Sequence, residues 1–422
     1  MKKMKRWAKI LFFISRDEFN NFRQLHSILQ GHPDCKKVPG VDASTGSLGQ
    51  GCSIAVGMAL GAKQLKKDTK VYTILGCIVL ALVVLVGAYV TYVFIDYHRI
   101  GDMDLTPEGD AAVTELAAGK RYTVLSYNIG FGAYEDDYGF FMDGGTESWA
   151  WSKERLTANV DAIAAFLARQ QADFYLLQEV DIDSTRSYHV DERQSICQAL
   201  AGMSHVFAQN YDSPFLMYPL TQPHGASRSG LLTFSAASIS SARRVELPIE
   251  NSVMKLLDLD RCYSVSRIPT NGSKELILYN LHLSAYTSDG TIATEQLKLL
   301  LADMQAEYEA GNWCVAGGDF NKDLLGDSAQ YFGEADQAYS WAQPIPDGIF
   351  DGYDITLVAP VDESDPVPSC RNADSAYHEG QYVLTVDGFM VSKNVAVESA
   401  GVIDTGFRWS DHNPVKMTFT LR

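Results

Sequence analysis

Two patterns of apolar residues divide this chain. From residue 77 to residue 94 the sequence CIVLALVVLVGAYVTYVF is almost wholly apolar, and no residue from Val71 to Ile95 is charged. From about residue 120 onward, short apolar runs alternate with polar loops. The first pattern predicts a membrane-spanning helix, because about 20 apolar residues cross a bilayer as a helix. The second predicts a folded domain.

Residues 120–422 combine strand-like and helix-like patterns. Helical periodicity is present at Arg155–Arg169 and is clearer at Ala293–Glu309, where four apolar residues share one face. This mixture predicts an α/β fold in which two facing sheets of strands are flanked by helices. The predicted strands are Tyr122–Tyr127, Phe174–Leu177, Gly230–Phe234, Tyr263–Arg267, Glu275–Leu281, Trp313–Gly317, Val383–Val391 and Val415–Leu421.

Charge is distributed unevenly along the 422 residues, whose formal net charge is −17. Residues 1–76 hold 13 Lys and Arg against 5 Asp and Glu, so the remaining residues hold 22 against 47, a net −25. An acidic body of this kind repels polyanions, which disfavours a passive nucleic-acid binder. The seven cysteines form no CxxC pair, so a structural zinc site is not expected. The four cysteines at 197, 262, 314 and 370 permit disulfides without assigning them.

The charges beside the apolar segment predict its orientation. Lysines precede it at 63, 66, 67 and 70, and acids follow it at 96, 102, 104 and 108. The positive-inside rule then places the N-terminus in the cytoplasm and residues from about 97 outside. A buried core helix is the alternative, but helices of soluble proteins usually carry a polar face, and this segment shows none. We therefore expect an uncleaved single-pass anchor in the cell membrane at 77–95, a linker at 96–119 and an extracytoplasmic domain at 120–422.

The N-terminal segment differs from the rest of the chain. FRQLHSILQ (22–30) and GHPDCKKVPGVDASTGSLGQGCSIAVGMALGAKQ (31–64) resemble the N-terminal thiamine diphosphate-binding region of transketolase. In that family, the strand matching VYTILG (71–76) continues into an acidic GDG motif, whereas here it continues into Cys77 and the apolar segment. We therefore interpret 12–76, within a basic segment at 1–76, as a nonfunctional fragment from gene fusion or sequence assembly. Neither thiamine diphosphate binding nor transketolase activity is expected.

Polar residues stand at the ends of several apolar runs in the domain. A single one of them has an ordinary explanation as a turn cap or a hydrogen-bonded side chain. Several in succession predict one cleft, because strand ends can direct side chains into a shared space. The residues are Asn128, Glu179, His282, Asp319, Asn321, Asp387, Asp411 and His412.

The motifs SYN, QEVD, NLHLS, GGDFN, VDGFMVS and SDHNPV resemble, in this order, those of the endonuclease/exonuclease/phosphatase superfamily, over about 122–422. The resemblance implies a deoxyribonuclease I-like four-layer sandwich. It also implies that Asp387 orients His412 and that Asp411 serves the metal side of the cleft. Abasic-site endonucleases of the superfamily carry Tyr at the position of His282, so the histidine here disfavours a function in DNA repair.

Hydrolysis of a phosphate ester requires neutralised charge, an aligned water and proton transfer. We expect Mg²⁺ or Mn²⁺ to be held by Glu179 with Asn128 beside it, since hard cations prefer oxygen ligands. His412 is the expected general base or electrostatic partner. Asp319 and Asn321 would align the attacking water and the phosphoryl oxygens, and His282 completes the predicted catalytic group.

Loop residues are less specific candidates. Arg371, Asn372, His189 and Arg228 are candidate substrate contacts, and the alternative is ordinary solvated loop polarity. The aromatic-rich segment at 131–151 is a candidate rim or lid of the cleft, or a packed surface loop.

The leading hypothesis is a membrane-anchored, extracytoplasmic, metal-dependent phosphoesterase. Its substrate would be a nucleic acid, a lipid head group or a small phosphoester, as a diester or a monoester, and no obligate protein partner is inferred. The alternative is a catalytically idle binding or adhesion module on the same sandwich, since a fold does not fix a function. An intact set of strand-end residues argues against this alternative.

Overall fold

The structure is a computed structural model that describes residues 24, 26–28, 34–38, 43–44, 50–67, 74–250, 255, 259–285, 291–333 and 342–422. The chain divides into two compact units, Met1–Tyr92 and Val93–Arg422. Most of the segment that resembles transketolase before residue 50 lies outside the described residues.

Helix α1 spans Gln50–Gln64 in the first unit, and helix α2 spans Ile74–Asp96 across the unit boundary. Most of the described apolar side chains of α2 are exposed, with Leu85 at 65% and Ile95 at 79%, whereas Val93 is buried. Within the part of the chain that the structure describes, we find no helix long and apolar enough to cross a membrane. The side chains of residues 74–78 and 80 lie outside that part, so the predicted span 77–95 is only partly covered.

The second unit contains two mixed β-sheets, which confirms the predicted α/β class with two sheets flanked by helices. The seven-stranded sheet has the order β1-β6-β7-β8-β9-β13-β10, and the six-stranded sheet has the order β14-β15-β2-β3-β5-β4. Strands β2 and β3 are parallel, as are β8 and β9. The strands are β1 Met103–Leu105, β2 Arg121–Asn128, β3 Phe174–Asp181, β4 Ser204–Asp212, β5 Arg228–Ser235, β6 Ser241–Glu246, β7 Cys262–Pro269, β8 Glu275–His282, β9 Trp313–Asp319, β10 Ile355–Val358, β11 Cys370–Arg371, β12 Val383–Leu384, β13 Asp387–Ser392, β14 Val395–Val402 and β15 Val415–Leu421.

Helices cover the outer faces of both sheets. Cores fill the spaces between the layers because the buried strands present apolar side chains on both faces. Val124 and Leu278 pack between the sheets, Ile163 of the helix at Lys153–Gln170 packs on the six-stranded sheet, and Leu297 of the helix at Thr291–Glu309 packs on the seven-stranded sheet. The helices of this unit are α3 Lys153–Gln170, α4 Glu192–Ala199, α5 Thr291–Glu309 and α6 Ser328–Phe332.

A buried polar bridge joins the two sheets beneath the strand ends. Gln178 Nε2 of β3 donates to Asn280 Oδ1 of β8 at 2.7 Å. Asn280 Nδ2 donates in turn to the backbone carbonyl of Leu177 at 3.1 Å. Both side chains are fully buried, so these bonds are strongly directional and hold the two sheets in one register.

The segment predicted as a linker at 96–119 packs against the domain. Strand β1 pairs antiparallel with β6, and Leu116 is buried in the core between the sheets. Arg244 holds the chain before β1, because its guanidinium donates to the carbonyls of Ile100 at 2.6 Å and Gly101 at 3.0 Å. The four cysteines of the domain, at 197, 262, 314 and 370, are free thiols.

Candidate active site

The register of three neighbouring strands brings three of the predicted residues side by side. Asp319 at the end of β9 lies opposite His282 on one side and Asp387 on the other. The preceding glycine permits this close pairing, because a Cβ at Gly318 would lie 2.0 Å from the carbonyl oxygen of Leu281. A larger residue in place of Gly318 would push β8 and β9 apart. The glycine therefore allows the Asp319 carboxylate to lie next to His282.

His412 completes this group from the loop before β15. Its Nδ1 lies 2.7 Å from Asp387 Oδ2, and its Nε2 lies 3.8 Å from Asp319 Oδ2. Burial lowers the pKa of His412, but the carboxylates of Asp387 and Asp411 and the thiol of Cys370 outweigh burial and hold that pKa well above its ordinary value. The imidazole therefore keeps its proton at neutral pH in this arrangement.

Asp319 lies at the centre of the group and is 1% exposed. Burial raises the pKa of its carboxyl to about 7, the charge of His412 opposes that rise, and Asp387 adds to it. His282 Nε2 lies 3.5 Å from Asp319 Oδ2, and burial lowers the pKa of His282 well below its ordinary value. A neutral imidazole, a charged imidazole and an acid that titrates near neutrality thus share one pocket.

Asn128 connects this group to Glu179. Its Nδ2 donates to Asp319 Oδ2 at 3.0 Å and to Glu179 Oε1 at 3.1 Å, while its Oδ1 accepts from the backbone N–H of Gly130 at 3.0 Å. In this orientation the amide nitrogen faces the acids, so Asn128 links the two carboxylates. It would hold a cation beside Glu179 only with its amide turned.

Glu179 is directed into the cleft by an irregularity in β3. Its φ is 55°, and the pairing of β3 with β5 shifts register between Leu177 and Val180. A β-bulge of this kind re-aims a side chain at the edge of a site. A left-handed backbone at a non-glycine residue costs about 1 kcal/mol or more, so the surrounding structure must impose it.

Asp411 belongs to the same acidic side of the cleft. A Cβ placed on Gly130 would lie 3.1 Å from Asp411 Oδ1, which shows how closely the loop before β15 approaches the end of β2. Burial raises the pKa of Asp411, His412 opposes that rise, and the charge of Glu179 adds to it. Glu179 and Asp411 are thus close enough for their charges to interact, and carboxylate oxygens are the donors that a hard divalent cation prefers.

A second grouping offers metal-binding donor atoms. One donor atom each from Asp319, Asp387 and His412 lies within 4.8 Å of the other two, and all three residues are buried. Asp387 Oδ2 in this grouping already accepts from His412 Nδ1 and from Ser369 Oγ. The carboxylates of Glu179 and Asp411 each accept a single side-chain hydrogen bond from the described residues, so they are more available to a cation than Asp387 Oδ2 is.

Asn321 lies near Asp319 but is engaged with the backbone. Its N–H donates to Asp319 Oδ1 at 2.8 Å, and its Nδ2 donates to the carbonyl of Leu283 at 2.8 Å. Its φ of 49° turns the chain immediately after β9. Asn321 thus fixes the orientation of Asp319. Neither of these bonds involves the amide oxygen of Asn321, which is the atom of this side chain that could contact a substrate.

The four loop candidates have different surroundings. Arg371 is 1% exposed, and its guanidinium donates to the carbonyls of Glu135 at 3.0 Å and Tyr138 at 3.2 Å, which braces the aromatic-rich segment. Asn372 is also buried, beside it. His189 and Arg228 are exposed and both pair with Asp183. The sequence predicts all four in loops, but Arg228 begins β5 and Arg371 ends β11, and the side chain of Arg371 braces the aromatic-rich segment.

Sequence reasoning missed Ser369 and Cys370, which both contact the group around His412. Ser369 Oγ donates to Asp387 Oδ2 at 2.8 Å, and Cys370 Sγ lies 3.7 Å from His412 Nε2. Both occur in VPSCRN, a segment without an apolar run, in which Ser369 precedes the two-residue strand β11 and Cys370 begins it. The one available signal was their position directly before the candidate Arg371.

Comparison with known proteins confirms the N-terminal resemblance. A family model described as "Transketolase, thiamine diphosphate binding domain" matches residues 11–78. An apulose-4-phosphate transketolase chain of Phocaeicola vulgatus is 47% identical over 64 residues, which are 15% of this chain and 22% of that protein. Transketolase 1 of Vibrio parahaemolyticus is 34% identical over 141 residues, 32% of this chain and 17% of that protein. The chain thus spans less than a quarter of the length of either relative.

The folded domain matches a different family. An endonuclease/exonuclease/phosphatase structure from Beutenbergia cavernae has a TM-score of 0.49 at 17% identity, with 72% of each chain covered. The human Nocturnin catalytic domain has a TM-score of 0.45 at 18% identity, with 75% of this chain and 98% of that chain covered. The family model described as "Endonuclease/Exonuclease/phosphatase family" matches residues 125–412, which is more than half of the chain. This protein therefore belongs to the endonuclease/exonuclease/phosphatase family.

Proposed function

We propose that the domain is a divalent-metal-dependent phosphoesterase that uses water as the nucleophile. The observation that carries this proposal is the convergence of Asp319, His412 and Glu179, which Asn128 and two strand ends bring into one cleft. A metal ion bound beside Glu179 and Asp411 would neutralise phosphoryl charge and polarise the ester. Mg²⁺ or Mn²⁺ suits the carboxylate donors.

Asp319 is the group best placed to accept a proton from the attacking water. Its pKa of about 7 lies near neutrality, and a general base is most effective when its pKa is close to the ambient pH. His412, protonated and held by Asp387, would donate from Nε2 to a phosphoryl oxygen as negative charge develops. His282, neutral beside Asp319, would offer a second hydrogen bond without adding charge.

The first prediction tests this assignment on the full chain. His412→Ala and Asp319→Asn should each lower turnover of a chromogenic phosphodiester or monoester by about 10²-fold or more, because each removes a proton-transfer or electrostatic group. EDTA should abolish turnover, and added Mg²⁺ or Mn²⁺ should restore it. The preferred ester would separate diesterase from monoesterase activity.

His378→Ala is the matched control, because His378 is an exposed histidine in a loop of the same domain. Turnover near the wild-type level in both site variants would contradict the assignment. No turnover of either ester, or of DNA and a phospholipid tried next, would favour the catalytically idle binding module.

We also propose that the protein is a single-pass membrane protein with the domain outside the cell. The proposal is supported by the sequence alone, through the uncharged run 71–95 and the charges on either side of it. In the described part of the chain, no helix has the length and hydropathy of a membrane span. In fractionated cells the full chain should stay in the membrane pellet at alkaline pH, and protease added to intact cells should digest the domain. Recovery of the full chain in the wash would contradict this location.

We propose no activity for the segment that resembles transketolase. The match ends at residue 78, and the chain covers 22% or less of the two relatives. A thiamine diphosphate enzyme needs cofactor-binding parts that such a length does not supply.

A further inference from the structure

We propose that Ser369 is a positioning residue of this site, which fixes the Asp387 carboxylate and ties it to the loop that carries His412. The proposal deepens the proposed function and rests on it for its kinetic test. Ser369 is fully buried and lies in the loop directly before β11.

The Ser369 side chain makes three hydrogen bonds around Asp387. Its Oγ accepts from the backbone N–H groups of Val386 and Asp387, each at 3.0 Å. Its own hydroxyl donates to Asp387 Oδ2 at 2.8 Å. Since the two N–H groups occupy the lone pairs of the hydroxyl, its single hydrogen is left to point at the carboxylate.

That carboxylate oxygen is the one that orients His412. Asp387 Oδ2 accepts from Ser369 Oγ and lies 2.7 Å from His412 Nδ1, whereas the buried Oδ1 has no hydrogen-bond partner among the described residues. The carboxylate is therefore held mainly through one oxygen. A second donor on that oxygen stops the carboxylate from rotating away from the imidazole.

The backbone around Ser369 holds the loop that carries His412. Its carbonyl accepts from the backbone N–H of Asn413 at 2.7 Å, and the carbonyl of Pro368 accepts from Asn413 Nδ2 at 3.0 Å. Cys370 then forms an antiparallel bridge with His412. One serine thus contacts Asp387 through its side chain and the His412 loop through its backbone.

Replacement of the hydroxyl should loosen the Asp387–His412 pair without removing a group that touches substrate. Ser369→Ala leaves two buried N–H groups without their acceptor and leaves Asp387 Oδ2 with one donor. Loss of such a supporting bond typically costs about 10- to 100-fold in activity. We expect that loss in kcat, with KM changed by less than about 3-fold, because the residue acts through orientation.

Ser392→Ala in the full chain is the matched control. Ser392 lies at the opposite end of β13 from Asp387, is also fully buried, and also accepts a backbone N–H, from Cys314 at 2.8 Å. It should lose comparable thermal stability while kcat stays within about 2-fold of wild type. An equal kcat loss in both variants would overturn the proposal, because it would show a general structural effect.

A double mutant separates positioning from stability. If Ser369 acts through Asp387, adding Ser369→Ala to Asp387→Asn should lower kcat by no more than about 2-fold further, since interacting residues are not additive. A full, additive loss would overturn the proposal. Ser369→Thr, which keeps the hydroxyl, should retain more activity than Ser369→Ala.

A spectroscopic measurement makes the test independent of turnover. The His412 Nδ1–H proton resonance, assigned by its loss in His412→Ala, should shift in Ser369→Ala and stay unchanged in Ser392→Ala. An unchanged resonance in both variants would overturn the positioning role. If the wild-type protein hydrolyses no ester, the proposed function fails, and this resonance alone decides the role of Ser369.

Discussion

At the scale of single residues, His224 is a buried titratable group outside the catalytic cluster. It is 3% exposed and lies against the rings of Phe140 and Phe141, with centroids 5.9 Å away in each case. Burial lowers the pKa of its imidazole to about 3, and the charge of Arg186 adds to that effect. The protein therefore folds with this histidine neutral.

This predicts a loss of stability in mild acid. The unfolded chain takes up a proton near pH 6.5, whereas the folded chain does so only near pH 3, so the free energy of unfolding decreases as pH falls through that window. The melting temperature of the wild type should fall more between pH 7 and pH 5 than that of His224→Phe. Parallel pH profiles for the two proteins would contradict the prediction.

The adjacency of the strand-end residues was predictable from the sequence. Acids and histidines that follow apolar runs mark a cleft because a sheet brings its strand ends together, and Asp319, His282 and Asp387 are indeed adjacent. The bracing position of Arg371 and the contacts of Ser369 were not predictable. Both depend on which loops meet in three dimensions, and the local sequence carries no periodicity that reports such meetings.

At the scale of elements, the buried strands were predictable and the edge strands were not. Strands β2, β8 and β9 are buried along almost their whole length and each contains an apolar run, and the sequence places them within a few residues of their observed bounds. The edge strands β1 and β14 carry exposed polar residues and have no such signature. The predicted strand at 383–391 is two strands, β12 and β13, which pair with different partners.

Strand β1 and the chain after it should contribute to the stability of the domain. A truncated protein that begins at residue 120 loses the β1–β6 pairing, the bond from Glu246 N–H to Asp102 Oδ1 at 2.7 Å, and the buried Leu116. Loss of Leu116 burial alone costs about 1.5–3 kcal/mol. The melting temperature of the protein that begins at residue 120 should be lower by roughly 5 °C or more than that of a protein that begins at residue 97. Equal melting temperatures would mean that residues 97–119 add nothing.

At the scale of the whole molecule, charge should govern access to the cleft. Residues 77–422 carry a net −25, which repels a polyanion at long range. A single-stranded oligonucleotide should therefore inhibit hydrolysis of a small ester more strongly at about 0.2 M salt than at about 0.02 M, because salt screens the repulsion. Weaker inhibition at high salt would instead reveal a local basic groove.

The site is divided between two sheets that the Gln178–Asn280 bridge holds in register, and between distant parts of the chain. Asn128 ends an early strand of the domain, whereas His412 stands just before β15, which pairs back onto β2. During synthesis on the ribosome, a nascent chain that stops anywhere before His412 has no complete cleft. The proposed activity would therefore require synthesis of the domain to pass His412, and a fragment that ends before this residue would lack it.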